Sequence, residues 1–367
     1  MDKFNSSISQ DIALLLTHYA YDFSQASISP LGNGHINSTY KLSTPEHEFV
    51  LQRINHDVFP QPVALCQNAQ LINDYLAKQK LLNEYPLQVP KQLLSNAGDS
   101  AVKVNDYYWR LMEFIPESHT LEQVSTPEQA ALVAQAFAQF SCTLSDFSAE
   151  KLTVIIKDFH DIRFRMAQLT QAVADDHCNR LAQCQYLVDF CFEQQAFIEQ
   201  VISISDKLPV HVTHNDTKIN NLLFSRASNQ PCAVIDLDTC MPGLLMHDFG
   251  DMVRTCCSNL AEDDTSTEEM ELNLDIFQAL IINYQNTFGD KMTPLERESL
   301  IIGARLLPFI IGTRFLTDHL NGDNYFHVSR ENHNLDRAIS QIQLYKLVTQ
   351  AEPKLRELAQ YQLTKAS

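Results

Sequence analysis

The sequence predicts an α+β chain of two lobes, a small antiparallel β-sheet lobe over residues 1–116 and a larger, mainly helical lobe over 117–367. Three observations predict it. Before Pro116, short alternating apolar runs are punctuated by glycine, proline and asparagine, as in strands and turns. After it, apolar residues recur at helical spacing behind capping signatures. The chain is long enough for two cores, and no repeat, low-complexity tract or long linker divides it elsewhere, so the one boundary falls near 115–120.

Taken in order, Ile12, Leu14, Leu15, Leu16 and Tyr19 give a short amphipathic helix over residues 8–20. The run Leu31-Gly32-Asn33-Gly34-His35-Ile36-Asn37-Ser38-Thr39-Tyr40 lies between strand-like stretches. Its glycines let a hairpin backbone approach phosphate oxygens closely, although a lone G-x-G is more often an ordinary turn. Residues 49–54 alternate as a strand, and Leu65, Ala69, Ile72 and Leu76 form the buried stripe of a helix over 61–80. Residues 107–116 read as an aromatic-rich strand that stops at proline. Thr126-Pro127-Glu128-Gln129 opens a helix whose Leu132, Val133, Ala136, Phe137 and Phe140 face a core. Leu208, Val210 and Val212, then Leu222-Leu223-Phe224 and Ala233-Val234-Ile235, read as strands. Met241-Pro242-Gly243 is a turn, and residues 247–251 start a helix. There Asp248 is placed to fix the preceding loop through its backbone, and Asp251 to cap. The acidic run 262–271 reads as a solvated loop, since ligation needs convergent geometry and not density. Thr293-Pro294-Leu295-Glu296 opens a last capped helix that carries Arg314 and Asp318 one turn apart, either facing one cleft or forming an i,i+4 pair.

The chemistry concentrates in His214-Asn215-Asp216-Thr217-Lys218-Ile219-Asn220-Asn221, an H-x-D-x-x-x-x-N run, and the apolar strand that ends in Asp236-Leu237-Asp238. Transfer of a phosphoryl group needs strict positioning and neutralised charge more than covalent help. In that reading Asp216 orients an acceptor hydroxyl and takes its proton. Asn221 and Asp236 supply the neutral and charged oxygens that Mg²⁺ prefers. His214 holds the loop in shape, and Lys218 completes the catalytic set. A lone Asp-Thr pair would only cap a turn; the spaced asparagine and the following acid make the difference.

These motifs, with V-I-D-L-D-T-x-M-P-G and H-D-F-G-D, resemble the aminoglycoside phosphotransferase and choline kinase superfamily over nearly the whole chain, from Gly32 to Arg337. G-H-I-N-x-T-Y, F-H with Arg165 five residues after His160, and R-F-L-T-D-x-L-x-G-D resemble its N-acetylhexosamine 1-kinase branch. The resemblance implies a protein kinase-like fold with ATP and Mg²⁺ between the lobes and a small-molecule, amino-sugar acceptor. It implies a phosphate lid with Gly32, Gly34, Asn37 and Thr39, and a strand-three cation at Arg53, or Gln52 in that place if the register shifts by one. It also implies a hinge around Glu113 and Ile115 for the adenine edge, and acceptor contacts from His35, His160, Arg165, Arg314 and Asp318. The sequence departs from the pattern in one respect: residues 61–80 hold no glutamate to brace that cation, only Asp74 and Asn68. Kinases of the same fold acting on choline, homoserine or an aminoglycoside share the strong motifs, and a nucleotide-binding module without turnover is the remaining alternative.

The formal charge of −18 argues against binding nucleic acid by phosphate neutralisation, and suits a neutral sugar or a cationic amine. Nine cysteines without a C-x-x-C pair read as reduced thiols, and the N-terminus lacks a signal pattern, so the expectation is a cytoplasmic protein. No apolar run is expected to span a membrane, because Arg305 and Pro308 interrupt the longest, at 300–312.

Overall fold

A computed structural model describes residues 6–32 and 36–360. The first lobe runs α1 (Ser6–Leu16), β1 (Ser27–Pro30), β2 (Ser38–Ser43), β3 (Glu48–Ile54), α2 (Pro62–Leu81), β4 (Gln92–Leu93), β5 (Val102–Val104) and β6 (Tyr107–Glu113). The sheet is antiparallel in the order β1-β2-β3-β6-β4, with β5 also on β6. Period-two alternation sends Phe49 and Leu51 of β3 to the outer face, where they pack with Ile12 and Leu15 of α1 and with Trp109 of β6. α1 ends sooner than its apolar pattern suggests, because Thr17 Oγ1 turns back to donate to the Leu14 carbonyl at 2.7 Å. On the inner face Ile54 meets Leu65 and Cys66 of α2. The rest of the α2 stripe, Ala69, Ile72 and Leu76, joins the core of the second lobe. One helix thus holds both lobes.

The second lobe continues β7 (Ser118–His119), α3 (Pro127–Thr143), α4 (Ile162–Asp175), α5 (Leu181–Glu193), α6 (Gln195–Ser205), β8 (His211–Thr213), β9 (Leu222–Ser225), β10 (Pro231–Val234), β11 (Met241–Gly243), α7 (Leu245–Cys256), α8 (Leu274–Phe288), α9 (Pro294–Leu320) and α10 (His333–Gln360). Thr126 caps α3, and Thr293 with Glu296 forms the reciprocal capping box of α9. α9 is the axis of the lobe. Among the described residues it alone is long and apolar enough to cross a membrane, yet 94% of its apolar window is buried in the fold. The interruptions seen in the sequence are accommodated inside it: Pro308 lies within the helix, and Arg305 pairs with Glu352 at 2.6 Å. α7 crosses α9 backbone to backbone, since a Cβ on Gly250 would lie 2.2 Å from the Gly303 carbonyl oxygen. That crossing fixes α7, and α7 carries Asp248. All nine cysteines are free thiols.

Candidate active site

β8 delivers the loop that begins at His214. Asn215 takes a left-handed backbone, φ 62°, which asparagine tolerates better than most residues. Both oxygens of the buried Asp248 accept loop amides, from His214 at 3.0 Å and Asn215 at 2.7 Å. Thr217 Oγ1 donates to the Asp248 carbonyl at 2.6 Å. The His214 ring lies edge-on to Phe137 and Phe140, with Nε2 3.0 Å from the Ile235 carbonyl. It is fully buried and ties the loop to the end of β10, so it positions the loop without touching the cleft.

Asp216 is left facing the cleft. Lys218 Nζ lies 3.0 Å from its Oδ2, and Asn221 Nδ2 donates to that oxygen at 2.9 Å and to the Asp216 carbonyl at 2.8 Å. Burial alone would raise this carboxyl. Lys218, His214 and the two side-chain hydrogen bonds outweigh it and hold Asp216 below the usual carboxylate range. Asp236 follows β10 in a left-handed backbone, φ 62° and ψ 59°, the kind of strain that fold cores keep at functional sites. Its carboxylate opens to the cleft floor. Depth in the molecule, then Asp238 and Asp216, push it up to about 7. This is an anionic pocket short of positive charge. Asn221 Oδ1 and Asp236 carry no hydrogen bond among the described residues, and an amide oxygen beside a carboxylate is a donor set for Mg²⁺. No group of three or more His, Cys, Asp or Glu among the described residues holds a metal by itself, as suits a cation shared with phosphate oxygens.

The nucleotide side corrects one expectation. Arg53 is on the outer face of β3, with its guanidinium over the Tyr107 ring at 4.5 Å and Nη2 3.3 Å from Ser38 Oγ. The cleft-facing residue of β3 is Gln52, paired across the sheet with Arg110 of β6. Arg110 Nε and Nη2 donate to Gln52 Oε1 at 2.9 and 2.6 Å, and Nη2 lies 2.6 Å from Asp238 Oδ1. Neither expected brace serves a cation: Asp74 takes Gln70, while Asn68 holds the Thr153 and Cys240 carbonyls. Thr39 Oγ1 accepts from Gln52, and Asn37 Nδ2 donates to Asp238 Oδ2 at 2.6 Å. Gly32 makes the turn after β1 at φ 70°, whereas Gly34 and His35 lie outside the described residues. At the hinge, Phe114 N–H donates to the Glu48 carbonyl at 3.1 Å and Ser118 Oγ to the Ile115 carbonyl at 2.7 Å. The Ile115 amide makes no hydrogen bond among the described residues, and Glu113 points its side chain outward.

The acceptor side corrects three more. Asp318 accepts from the amides of Asn324, Tyr325 and Phe326 and from Asn334 Nδ2, all within 3.0 Å, so it shapes a turn and does not pair with Arg314. Arg165 donates from Nε and Nη2 to the Phe159 carbonyl and from Nη1 to Gln168, which leaves it holding a loop. His160 lies against the catalytic loop, Nε2 3.3 Å from the Asn215 carbonyl and its ring beside His247, on the wall of a cavity of about 200 Å³ that Phe159 and Asn215 also line. Arg314 does face the site. Its guanidinium lies 5.0 Å from the Phe159 ring, 5.5 Å from Tyr325 and 5.2 Å from Phe326. It also lies close enough to feel the charges of Arg254 and Asp216. The expected helix cap Asp251 is instead inside α7, 2.7 Å from Arg254 Nε, with Oδ2 buried and unpartnered. Arg254 continues to Glu262, and Asp263 to His333 at 2.9 Å, so the head of the acidic run is tied to the fold while the run stays largely exposed, as a solvated segment does. Sequence reasoning missed Arg110, Asp238 and the Asp251–Arg254 pair. An arginine inside an apolar strand and a second acid in I-D-L-D were the available signals.

Two lobes around a cleft, with Asp216, Lys218, Asn221 and Asp236 on its floor, define an enzyme of the phosphotransferase class. Residues 27–284 match the model of the phosphotransferase enzyme family, and the chain belongs to that family. Among solved structures it is similar to a microcompartment-associated aminopropanol kinase, with a TM-score of 0.61 at 17% identity over 95% of this chain and 98% of that one. An ethanolamine kinase from Plasmodium vivax gives 0.58 at 13% identity over 93% and 89%. An aminoglycoside phosphotransferase with ADP bound gives 0.52 at 16% identity over 93% and 99%. At these identities the likeness is one of fold.

Proposed function

We propose that this phosphotransferase is an ATP- and Mg²⁺-dependent small-molecule kinase whose acceptor is a sugar, the anomeric hydroxyl of an N-acetylhexosamine, giving the sugar 1-phosphate. Nucleotide in the interlobe cleft is supported by the free Ile115 amide and by the ADP-bound relative. Asn221 and Asp236 would hold Mg²⁺, which when bound neutralises charge on the phosphates. Asp216, ionised and fixed by Lys218 and Asn221, orients the acceptor hydroxyl and receives its proton. Lys218 then offsets negative charge on the cleft floor.

The observation that carries the acceptor class is the wall opposite Asp216. Arg314 brings toward it a guanidinium that pairs with no carboxylate among the described residues, while Arg254 is already paired with Asp251 and Glu262 and the carboxylate of Asp318 is spent on backbone amides. A cationic amine would meet like charge there. An acyl oxygen and hydroxyls meet fixed N–H donors, and the Phe159 and Tyr325 rings offer apolar faces to a pyranose. The nine free thiols support a reducing, cytoplasmic setting as part of this proposal.

The test is turnover of Mg-ATP against N-acetylglucosamine, N-acetylgalactosamine, free hexoses, choline, ethanolamine, homoserine and kanamycin, with products read by phosphorus and proton NMR. Phosphate coupled to an anomeric proton is the expected result. Phosphate on an amino alcohol or aminoglycoside keeps the mechanism and removes the sugar. ADP binding without any product removes turnover itself.

A further inference from the structure

Arg110 is almost sealed from solvent, at 2% exposure, and sits between a neutral partner and an acid. Gln52 takes two of its N–H groups, and Asp238 takes a third contact at 2.6 Å. The other oxygen of Asp238 accepts from Asn37, whose own Oδ1 accepts the Asn55 amide at 3.0 Å. Asp238 stands two residues after Asp236, inside the same short turn of residues 237–239. Without the guanidinium, Asp236 and Asp238 would offer a cation two carboxylates from one turn. With it, Asp238 has both oxygens occupied.

We infer that Arg110 is a positioning residue that withholds Asp238 from the metal, leaving Asp236 as the only carboxylate ligand of the turn. This rests on the reading of Asp236 and Asn221 as the metal residues. The physical consequence is a site that holds a bare divalent cation weakly and fills its coordination from phosphate oxygens and water. Metal and nucleotide then enter together. A buried pair of this kind is costly to break from one side, because the remaining charge is left uncompensated, and R110Q leaves the Asp238 carboxylate beside Asp236.

The experiment is a Mn²⁺ titration of the full chain without nucleotide, followed by electron paramagnetic resonance, with the number of metal-bound waters read from water proton relaxation. R110Q is expected to bind Mn²⁺ at least about tenfold more tightly than the wild type and with fewer bound waters, as Asp238 enters the shell. R110Q/D238N, with the same net charge as the wild type and no freed carboxylate, returns to within about threefold. Tighter binding with an unchanged water number means a change in field alone and overturns the inference. So does a double variant more than about tenfold weaker than wild type, since Asp238 would then already be a ligand. Should R110Q fail to fold, the double variant decides alone. D236N is the control on the underlying reading: intact Mn²⁺ binding there sinks the metal assignment itself, and this inference with it.

Discussion

The two sides of Asp216 are perturbed in opposite directions. Toward the nucleotide, Asp236 is pushed up to about 7 by depth and by neighbouring carboxylates. Toward the acceptor, Arg165 is pushed down to about 9 by burial and then by Arg314, and Arg314 is lowered by burial, with Arg254 adding to it. One wall has acids short of cations; on the other, Arg254 is paired with Asp251 and Glu262, and Arg314 is the guanidinium that no carboxylate pairs among the described residues. Each is an electrostatic debt that the right ligand settles, a divalent cation on one side and electron-rich oxygens on the other. Asp216, held ionised between them, is the one group both ligands approach.

The comparison breaks first at Asp216. D216N is expected to lower kcat by about 10³-fold, as removal of a positioned base does, while ADP affinity stays within about threefold. Calorimetry with ADP and single-turnover phosphate transfer separate the two. A near-normal kcat would take Asp216 out of its role. R314A should come next, lowering kcat/KM for the acceptor by about 10²-fold through loss of charged hydrogen bonds, with KM for ATP unmoved. If R314A instead improves turnover of ethanolamine or kanamycin relative to sugar, the arginine wall is excluding amines. That outcome would sharpen the contrast between the walls.

The nucleotide side makes a pH prediction. The Asp236 carboxyl is raised, so below about 7 it holds a proton that a metal must displace. Mn²⁺ affinity without nucleotide should therefore fall as pH drops through 7, by up to about tenfold per unit, and level off above it. Stability runs the other way. A carboxyl raised in the fold contributes least above its folded value, so metal-free protein loses stability from this group as pH rises from the unfolded carboxylate range toward 7. Added Mg²⁺ should flatten that loss in a thermal melt. A pH-independent Mn²⁺ affinity between 5.5 and 8 would put the shift elsewhere.

What was legible in the sequence follows the distance over which the geometry is decided. H-x-D-x-x-x-x-N is one loop, so its spacing alone brings Asp216 and Asn221 together, and H-D-F-G-D was readable as the backbone anchor through Asp248. The strand cation was not readable. A one-residue change of parity moves a side chain through the sheet, and only the pairing of Gln52 with Arg110 shows which face each takes. Nor was the bracing acid: the missing glutamate of residues 61–80 is replaced from across the cleft by Asp238, 128 positions after Arg110, a juxtaposition that no local pattern encodes. His160 and Arg165 were expected to meet the acceptor, but their partners are the carbonyls of Asn215 and Phe159, which depend on tertiary packing.

Asp318 gives the smallest effect and the cleanest discrimination on the acceptor wall. Its carboxylate gathers three successive amides, at 3.0, 2.8 and 2.9 Å, and so builds the turn that presents Tyr325 and Phe326 to Arg314. In D318N one oxygen becomes an NH₂ that faces N–H donors, and the remaining bonds lose their charge. The cost should be about 1–2 kcal/mol of stability, less than removal of the side chain, because the shape is kept. Acceptor KM should rise only about threefold, as the aromatic turn loosens, and the ranking of acceptors should stay the same. Unfolding curves together with the acceptor panel measure both. A carboxylate that touched the acceptor would behave otherwise: stability would hold, and the ranking would change. That result would return Asp318 to the binding site and give the acceptor wall a free acid of its own, which would erase the asymmetry on which its substrate class depends.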